Sequence, residues 1–328
     1  MAVNPNGQPG YTEGQGAATS VDHAVSATPS HAVACALCGP RIGYRVRYAA
    51  RLPKTTPNFA ARHTPDRRHY RIVQCNRCGL VFSNPIFPPE TIARLYCDAE
   101  FAGETQLANY CDDYLALLRR ALPMVDRADR LLEIGCANGY FLEAARAMGI
   151  AHVAGVEPCA DAVAQASPAI RSSIVNDFFH AGLFVEETFD IVCLFQVLDH
   201  ALDPVGLMRG VERVLRPGGV VLVVSHNIRS WAARMLGRNS PMLDVQHVYL
   251  FDPKTIAVLF ERVGLGCIWA ESITSGYGLG YAVKMLSVLP LAMRRVVGRA
   301  LDAARLGTFR IRLPGGNMAA IARKGPAG

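Results

Sequence analysis

The sequence predicts an α/β fold: a doubly wound, mainly parallel sheet with helices on both faces, preceded by a small metal-binding module. Three observations carry this. Between Leu131 and Asn227, short apolar runs suited to buried strands alternate with runs of helical spacing. The stretch LLEIGCANGYFLEAA, Leu131 to Ala145, passes from strand through a glycine turn into a helix. Ahead of it, two Cys-x-x-Cys-Gly units stand at Cys35 to Gly39 and Cys75 to Gly79.

At 328 residues and 51% hydrophobic composition, the chain can bury a large core and is expected to hold about two domains. Residues 1–30 are rich in Gly, Pro, Ala, Ser and Thr without a hydrophobic period and are expected to form a flexible tail. Residues 31–88 are expected to form the metal module. Cys35, Cys38, Cys75 and Cys78 offer four thiolates, the number a tetrahedral structural zinc requires, and leave no position open for substrate. Gly39 and Gly79 suit the left-handed turn that closes each knuckle, and RHYRIVQ and LVFSNP read as the strands of a hairpin. Cys97, Cys111, Cys136, Cys159, Cys193 and Cys267 show no pairing and are expected to pack in apolar surroundings. The first residues show neither a basic start nor an apolar signal core, and Lys284 interrupts the best candidate for a membrane span. The expected compartment is the cytoplasm, with reduced thiols.

Residues 89–129 read as a helical linker that lids the next unit, from ETIARLYCDAEF and YCDDYLALLRRAL. The core, 130–275, starts with strand Leu131 to Ile134, turn Gly135 to Gly139 and helix Tyr140 to Met148. AHVAGVEP is a strand ending in Glu157, DAVAQAS a helix, and AIRSSIVND a strand ending near Asp177. FDIVCLFQVLDH is a fourth strand, VGLMRGVERVLRPGG a helix with a Pro-Gly-Gly stop, and VVLVVSHN a fifth strand. Ligands of such sheets bind beyond the carboxyl ends of the strands.

A dinucleotide site would place G-x-G-x-x-G in the first turn, to seat a pyrophosphate. Here the turn holds Gly135 and Gly139 and is preceded by an acid, Glu133, which would repel phosphate and attract a cationic ligand. Glu157 ends the second strand where a carboxylate could grip a ribose diol, and Asp177 ends the third, where it could accept from an adenine amino group. Together the three acids describe a nucleoside that carries positive charge and no phosphate.

With EIGCANG and its helix, GVEP, the Asn176-Asp177 pair, FDIVCLFQVLDHALDP and LRPGGVVLVV in this order, the chain resembles class I S-adenosylmethionine-dependent methyltransferases over roughly Leu131 to Ala270. The resemblance implies a Rossmann-like methyltransferase sheet. It also implies that Glu133, Gly135 and Gly139 line the methionine end, Glu157 takes the ribose, Asp177 and Phe178 the adenine, while Phe195 and Gln196 close over S-adenosylmethionine. Ala137 stands where many members have glycine. The cysteine pairs joined to this core are similar to bacterial small-molecule methyltransferases of saccharide and natural-product pathways. Sugar C-methyltransferases of that kind carry a further large C-terminal domain, for which this chain is too short, so the expectation is methylation of a hydroxyl on a saccharide, lipid-linked saccharide or natural-product intermediate.

A hydroxyl must lose its proton, and a histidine titrating near neutrality is the natural base. His247 in QHVYLF ranks first, His200 second and His226 third. Residues 276–316 read as a basic helical insertion before a final strand and tail, 317–328: Lys284, Arg294, Arg295, Arg299, Arg305, Arg310 and Arg312 face only Asp302 between Tyr281 and Leu313. A solvated lid helix is one reading and peripheral contact with an anionic membrane the sharper one. The expected partner is a small-molecule acceptor. Confinement of the charge to one region argues against nucleic acid, leaving a ribosomal RNA or protein methyltransferase, and a non-catalytic partner of the same fold, as the alternatives.

Overall fold

The computed structural model describes residues 28–52, 57, 59, 66–99, 101, 104–286 and 289–326. The expected tail at 1–30 therefore falls outside the described residues as far as residue 27.

The N-terminal part holds strands β1 (Tyr44–Tyr48), β2 (Ile72–Cys75) and β3 (Val81–Ser83), followed by helices α1 (Pro89–Cys97) and α2 (Glu104–Ala121). The hairpin expected around the second cysteine pair is β2 against β3, antiparallel. Next come β4 (Arg130–Ile134), α3 (Tyr140–Ala147), β5 (His152–Val156), α4 (Ala160–Ala164), α5 (Pro168–Arg171), β6 (Ile174–Val175) and β7 (Phe189–Phe195). The chain continues through α6 (Pro204–Val214), β8 (Leu215–His226), α7 (Trp231–Leu236), β9 (Tyr249–Leu250), α8 (Pro253–Arg262) and β10 (Leu265–Gly278). It ends with α9 (Leu279–Met285), α10 (Leu291–Ala303) and β11 (Arg310–Lys324).

Seven strands form the main sheet in the order β10-β11-β8-β7-β4-β5-β6. From β8 to β6 the pairs are parallel, while β11 runs antiparallel to both its neighbours. The central strand β7, FDIVCLF, is buried along its whole length, as a strand covered on both faces must be. Alternation along the strands divides the core. Leu132, Val192, Leu194, Val221 and Val223 pack toward Met208 and Val211 of α6 and Ile256 and Phe260 of α8. Leu131, Ile191, Cys193, Leu222 and Val224 pack with Leu118 of α2 and Phe141 of α3. Helix α6 starts at Pro204 with Asp203 accepting from the Gly206 amide, and α8 starts at Pro253 behind a capping box made by Asp252 and Thr255.

Three stretches differ from the sequence reading. AIRSSIVND is mostly not strand: Pro168 sits in the first turn of α5, where its fixed φ favours a helix, and pairing is left to Ile174 and Val175. LRPGG does not end a helix ahead of the strand but already belongs to β8, where Gly218, at φ +78°, accommodates the register shift opposite Phe189 and Ile191. The 276–316 insertion is not helical throughout, because the β10–β11 pairing continues out to Gly278 opposite Arg310, so α9 and α10 form the tip of a long hairpin.

The small sheet, β1-β2-β3-β9, takes its last strand from between α7 and α8: β9 pairs with β3, Val81 to Leu250 and Phe82 to Tyr249. One buried cluster accordingly runs from Cys35, Leu37 and Phe82 through Val248 and Phe251 to the main sheet. Arg262 of α8 donates to the Leu37 carbonyl and Tyr249 to that of Ala34, which ties the first cysteine knuckle to the core.

Asp113 of α2, buried, accepts from the Gly276 amide of β10 and from Arg310 of β11, and so fixes the hairpin over the sheet. Replacing it by Ala is expected to lower the urea-unfolding free energy by about 2–3 kcal/mol, the range for a lost charged hydrogen bond.

Candidate active site

The carboxyl ends of β4, β5, β7 and β8 open into a cavity of about 1370 Å³. The turn after β4 forms its first edge. Gly135 has φ +74°, and a Cβ there would lie 2.4 Å from Val197 Cγ2; at Gly139, φ +75°, it would lie 2.4 Å from Ile170 Cγ2. Both positions thus need glycine for conformation and for space. Ala137 holds φ +50° between them, a strained value for a residue with a Cβ.

Glu133 is 1% exposed and lines the cavity; its Oε2 has no hydrogen-bond partner. Burial, and then the charge of Glu157, push its carboxyl well above the usual range. Gln196, at φ +58°, likewise leaves its buried Oε1 unpartnered on the same wall. Unpaired buried acceptors are costly, so a ligand carrying several N–H donors is what this corner fits. Glu157 receives the Ala137 amide on Oε2 and the Cys159 amide on Oε1, each at 2.9 Å, and each oxygen has a second lone pair. Burial raises its carboxyl too, against the pull of those amides.

Phe195 stacks on Tyr114 of α2 with centroids 4.0 Å apart, and Tyr110 continues the aromatic wall. Phe178 is 42% exposed at the cavity edge. Asp177 is exposed and stands outside the lining, its Oδ1 accepting from the Phe178 amide at 2.7 Å. It therefore shapes the turn that presents Phe178.

All three candidate histidines meet in one wall. The ring centroids of His200 and His247 are 4.8 Å apart and those of His226 and His247 4.7 Å. His247 is 8% exposed, its Nδ1 donates to the Met242 carbonyl at 2.8 Å, and burial pushes its imidazole down to about 3. Burial also lowers His200, whose Nδ1 lies 2.7 Å from the Tyr96 hydroxyl and 3.2 Å from the Gln246 carbonyl. His226, third in the sequence ranking, has a carboxylate partner: its Nδ1 is 2.5 Å from Asp199 Oδ2. Asp199 is fully buried, and burial opposes its ionisation. The His226 hydrogen bond and the surrounding imidazoles outweigh that and hold its carboxyl below the usual range. Sequence reasoning passed over Asp199 and Tyr96. The D-H pair in QVLDHALDP was the available signal, but only the fold shows that the acid serves His226 and not its neighbour His200.

The four cysteine sulfurs lie within 4.8 Å of one another, with Cys35 and Cys78 at 3.4 Å, close to the roughly 3.8 Å that a tetrahedral ion with 2.3 Å bonds would set. Gly39 and Gly79 take φ +76° and +79°, and their amides bond back to the Cys35 and Cys75 carbonyls. Burial raises the Cys35 thiol and lifts that of Cys78 to about 11, whereas at Cys75 hydrogen bonds from backbone amides and neighbouring thiols outweigh burial and lower the thiol to about 7. This donor set fits zinc. Of the remaining cysteines, Cys136 and Cys193 are buried as expected, whereas Cys97 is exposed near the end of α1.

Residues 104–268 match the family described as "Methyltransferase domain". The chain belongs to this family. Over 111 residues it is 33% identical to a ubiquinone biosynthesis O-methyltransferase of Rhizobium etli, covering 32% of this chain and 44% of that protein. A ubiquinone biosynthesis O-methyltransferase of Nitrobacter winogradskyi is 32% identical over 154 residues, 42% of this chain and 56% of that one. The methyltransferase-family chain thus spans about half the length of the curated relatives it matches. Among solved structures, an S-adenosylmethionine-dependent methyltransferase from Archaeoglobus fulgidus is similar at 20% identity and a TM-score of 0.45, over 68% of this chain and 95% of that one. The matched family and the strand order of the mixed α/β sheet together give a Rossmann-like methyltransferase fold.

Replacing Glu157 by Ala removes a charged acceptor and two amide contacts from the first turn. It is expected to weaken S-adenosylmethionine binding by about 10- to 100-fold in calorimetry, the equivalent of one charge-assisted hydrogen bond.

Proposed function

We propose that the protein transfers a methyl group from S-adenosylmethionine to a hydroxyl of an apolar small molecule, a natural-product or lipid-linked intermediate. The observation that carries this reading is the Asp199–His226 pair, set in the wall of the same cavity that Glu133 and Glu157 line. Bound there, S-adenosylmethionine supplies a methyl group on a positively charged sulfur. Glu133 and Gln196 would meet its ammonium, Glu157 the ribose hydroxyls, and Phe178 and Phe195 the flat surfaces. With its Nδ1 hydrogen directed to Asp199, His226 keeps Nε2 free to take the hydroxyl proton, and Asp199 stabilises the charge that results. The oxygen lone pair then forms the new O–CH3 bond as the S–CH3 pair returns to sulfur.

The character of the wall favours an apolar acceptor over a free sugar. Tyr110, Phe179, Trp231, Met235, Met242 and Met285 line it. Relatives named as O-methyltransferases support transfer to oxygen. Zinc at the four cysteines is part of the proposal, as a structural ion. With tritiated methyl donor, alkyl- and prenyl-substituted phenols are expected to be methylated in preference to monosaccharides. Substituting His226 by Ala is expected to cost about 100-fold or more in rate while cofactor affinity stays the same. Labelled sugars and unlabelled phenols would overturn the acceptor class, and an unimpaired His226→Ala would overturn the base.

A lipid surface is the matching partner. Trp231 and Met235 stand 69% and 68% exposed at the mouth of the cavity, beside exposed Arg234 and Arg238. Among the basic residues of 281–313, Arg310 and Arg312 pair with Asp113 and Arg294 is buried, while Arg295, Arg299 and Arg305 remain exposed. No described helix is long and apolar enough to cross a membrane, so the contact would be peripheral. Sedimentation with anionic vesicles at low salt, reduced by Trp231→Ser and by salt, is the expected result; equal recovery without vesicles would remove the membrane from the proposal.

A further inference from the structure

One polar residue beside His226 has no part in the reaction described above. Asn317 stands on β11 directly opposite His226 of β8, so the two side chains leave the same face of the sheet, and both line the cavity. Asn317 is 6% exposed. Its Nδ2 reaches the Ser275 and Tyr277 hydroxyls at 3.2 and 3.4 Å, while among the described residues no donor reaches its Oδ1. A buried amide oxygen without a donor is costly, and the cavity is the side from which a donor can come. The other flank of His226 repeats the pattern. A carbonyl oxygen can only accept, so the Met242 carbonyl, 2.8 Å from His247 Nδ1, places that ring's hydrogen on Nδ1 and its lone pair on Nε2. Burial holds this imidazole at about 3, so its Nε2 remains an acceptor near neutral pH. The nitrogen of His226 that takes the proton is thus flanked by two further acceptors. A molecule with a single hydroxyl gives its one hydrogen to His226 and leaves both of them unserved.

We propose that Asn317 is a specificity residue that selects an acceptor with a second hydroxyl next to the one that is methylated, an ortho-dihydroxy ring on an otherwise apolar molecule. The inference rests on the hydroxyl acceptor and the His226 base of the proposed function. Side chains directly opposite on antiparallel strands have Cβ atoms about 4.5–5.5 Å apart, a separation that suits two hydroxyls on neighbouring carbons of one ligand. The first hydroxyl gives its proton to His226 Nε2, and its oxygen pair forms the bond to the methyl carbon as the S–CH3 pair returns to sulfur. The second keeps its proton, donates it in a hydrogen bond to Asn317 Oδ1, and leaves as the free hydroxyl of a monomethyl ether. Which oxygen is methylated is then set by which one stands at His226 and which at Asn317.

Acceptor binding tests this without turnover. To protein saturated with S-adenosylhomocysteine, nonylcatechol is expected to bind about tenfold or more tightly than nonylphenol in calorimetry, since the phenol leaves Asn317 without a donor. Asn317→Leu, close in shape, is expected to remove the preference and Asn317→Asp, which keeps an accepting oxygen, to retain it, with unchanged S-adenosylhomocysteine affinity as the check on folding. With S-adenosylmethionine, the wild type is expected to give one monomethyl isomer of nonylcatechol in large excess and Asn317→Leu a mixture, a change that a merely structural role would not produce. Equal affinity of the wild type for the two probes, or a preference that survives Asn317→Leu, overturns the proposal. Methylation of nonylphenol as fast as of nonylcatechol would overturn it too, while leaving O-methylation standing. Binding of neither probe would remove the acceptor class of the proposed function and this inference with it.

Discussion

The buried carboxylate of Asp199 is where the parts of the site meet. Moving a carboxylate out of water costs several kcal/mol unless hydrogen bonds replace the lost solvent. Asp199 receives the Ser225 hydroxyl, the His226 amide and the His226 ring, all from the end of β8, while its own segment follows β7. Its backbone carbonyl takes the Val248 amide at 2.8 Å, from the segment that leads into β9. One residue thus sets the spacing of two strand ends and the incoming loop, and orients the imidazole that faces the cavity.

From that junction the four-cysteine module gains a structural purpose. Ser83, at the end of β3, gives its amide to the Val248 carbonyl and its hydroxyl to the His247 carbonyl, both at 2.8 Å. The short strand β9 then continues the module's sheet. The loop carrying His247 thereby gains anchors beyond its bonds to Asp199 and His200. Here it is sewn between the main sheet and a hairpin whose far end is closed by sulfur. The Tyr96 hydroxyl of α1 holds His200 in the same manner, so residues ahead of the core place two of the three histidines.

At the opposite end of the cavity, electrostatics favour a cation. Glu133 and Glu157 are both pushed upward by burial, and the first keeps an unpartnered oxygen. A positively charged ligand that donates hydrogen bonds would relieve both costs, which a phosphate could not. Aromatic rings from α2 cover the neighbouring surface, since Tyr114 stacks on Phe195 at the end of β7. In the proposed function, binding and catalysis fall to different strand ends of one sheet.

The sequence by itself determined the alternation of strands and helices, the four-cysteine set, the glycine turn and the acids at the ends of β4 and β5. These depend on local periodicity, on the φ a residue can adopt and on short-range spacing, all of which are written in consecutive residues. It could not show that Pro168 starts a helix that takes over the beginning of an expected strand, that Arg310 is held by Asp113 from 197 positions away, or that Asp199 serves His226 and not adjacent His200. Nor could it show β9 adding to the module's sheet. Only the tertiary structure decided these, because ion pairing, strand addition and the sharing of a buried carboxylate are set by which distant segments exclude water together.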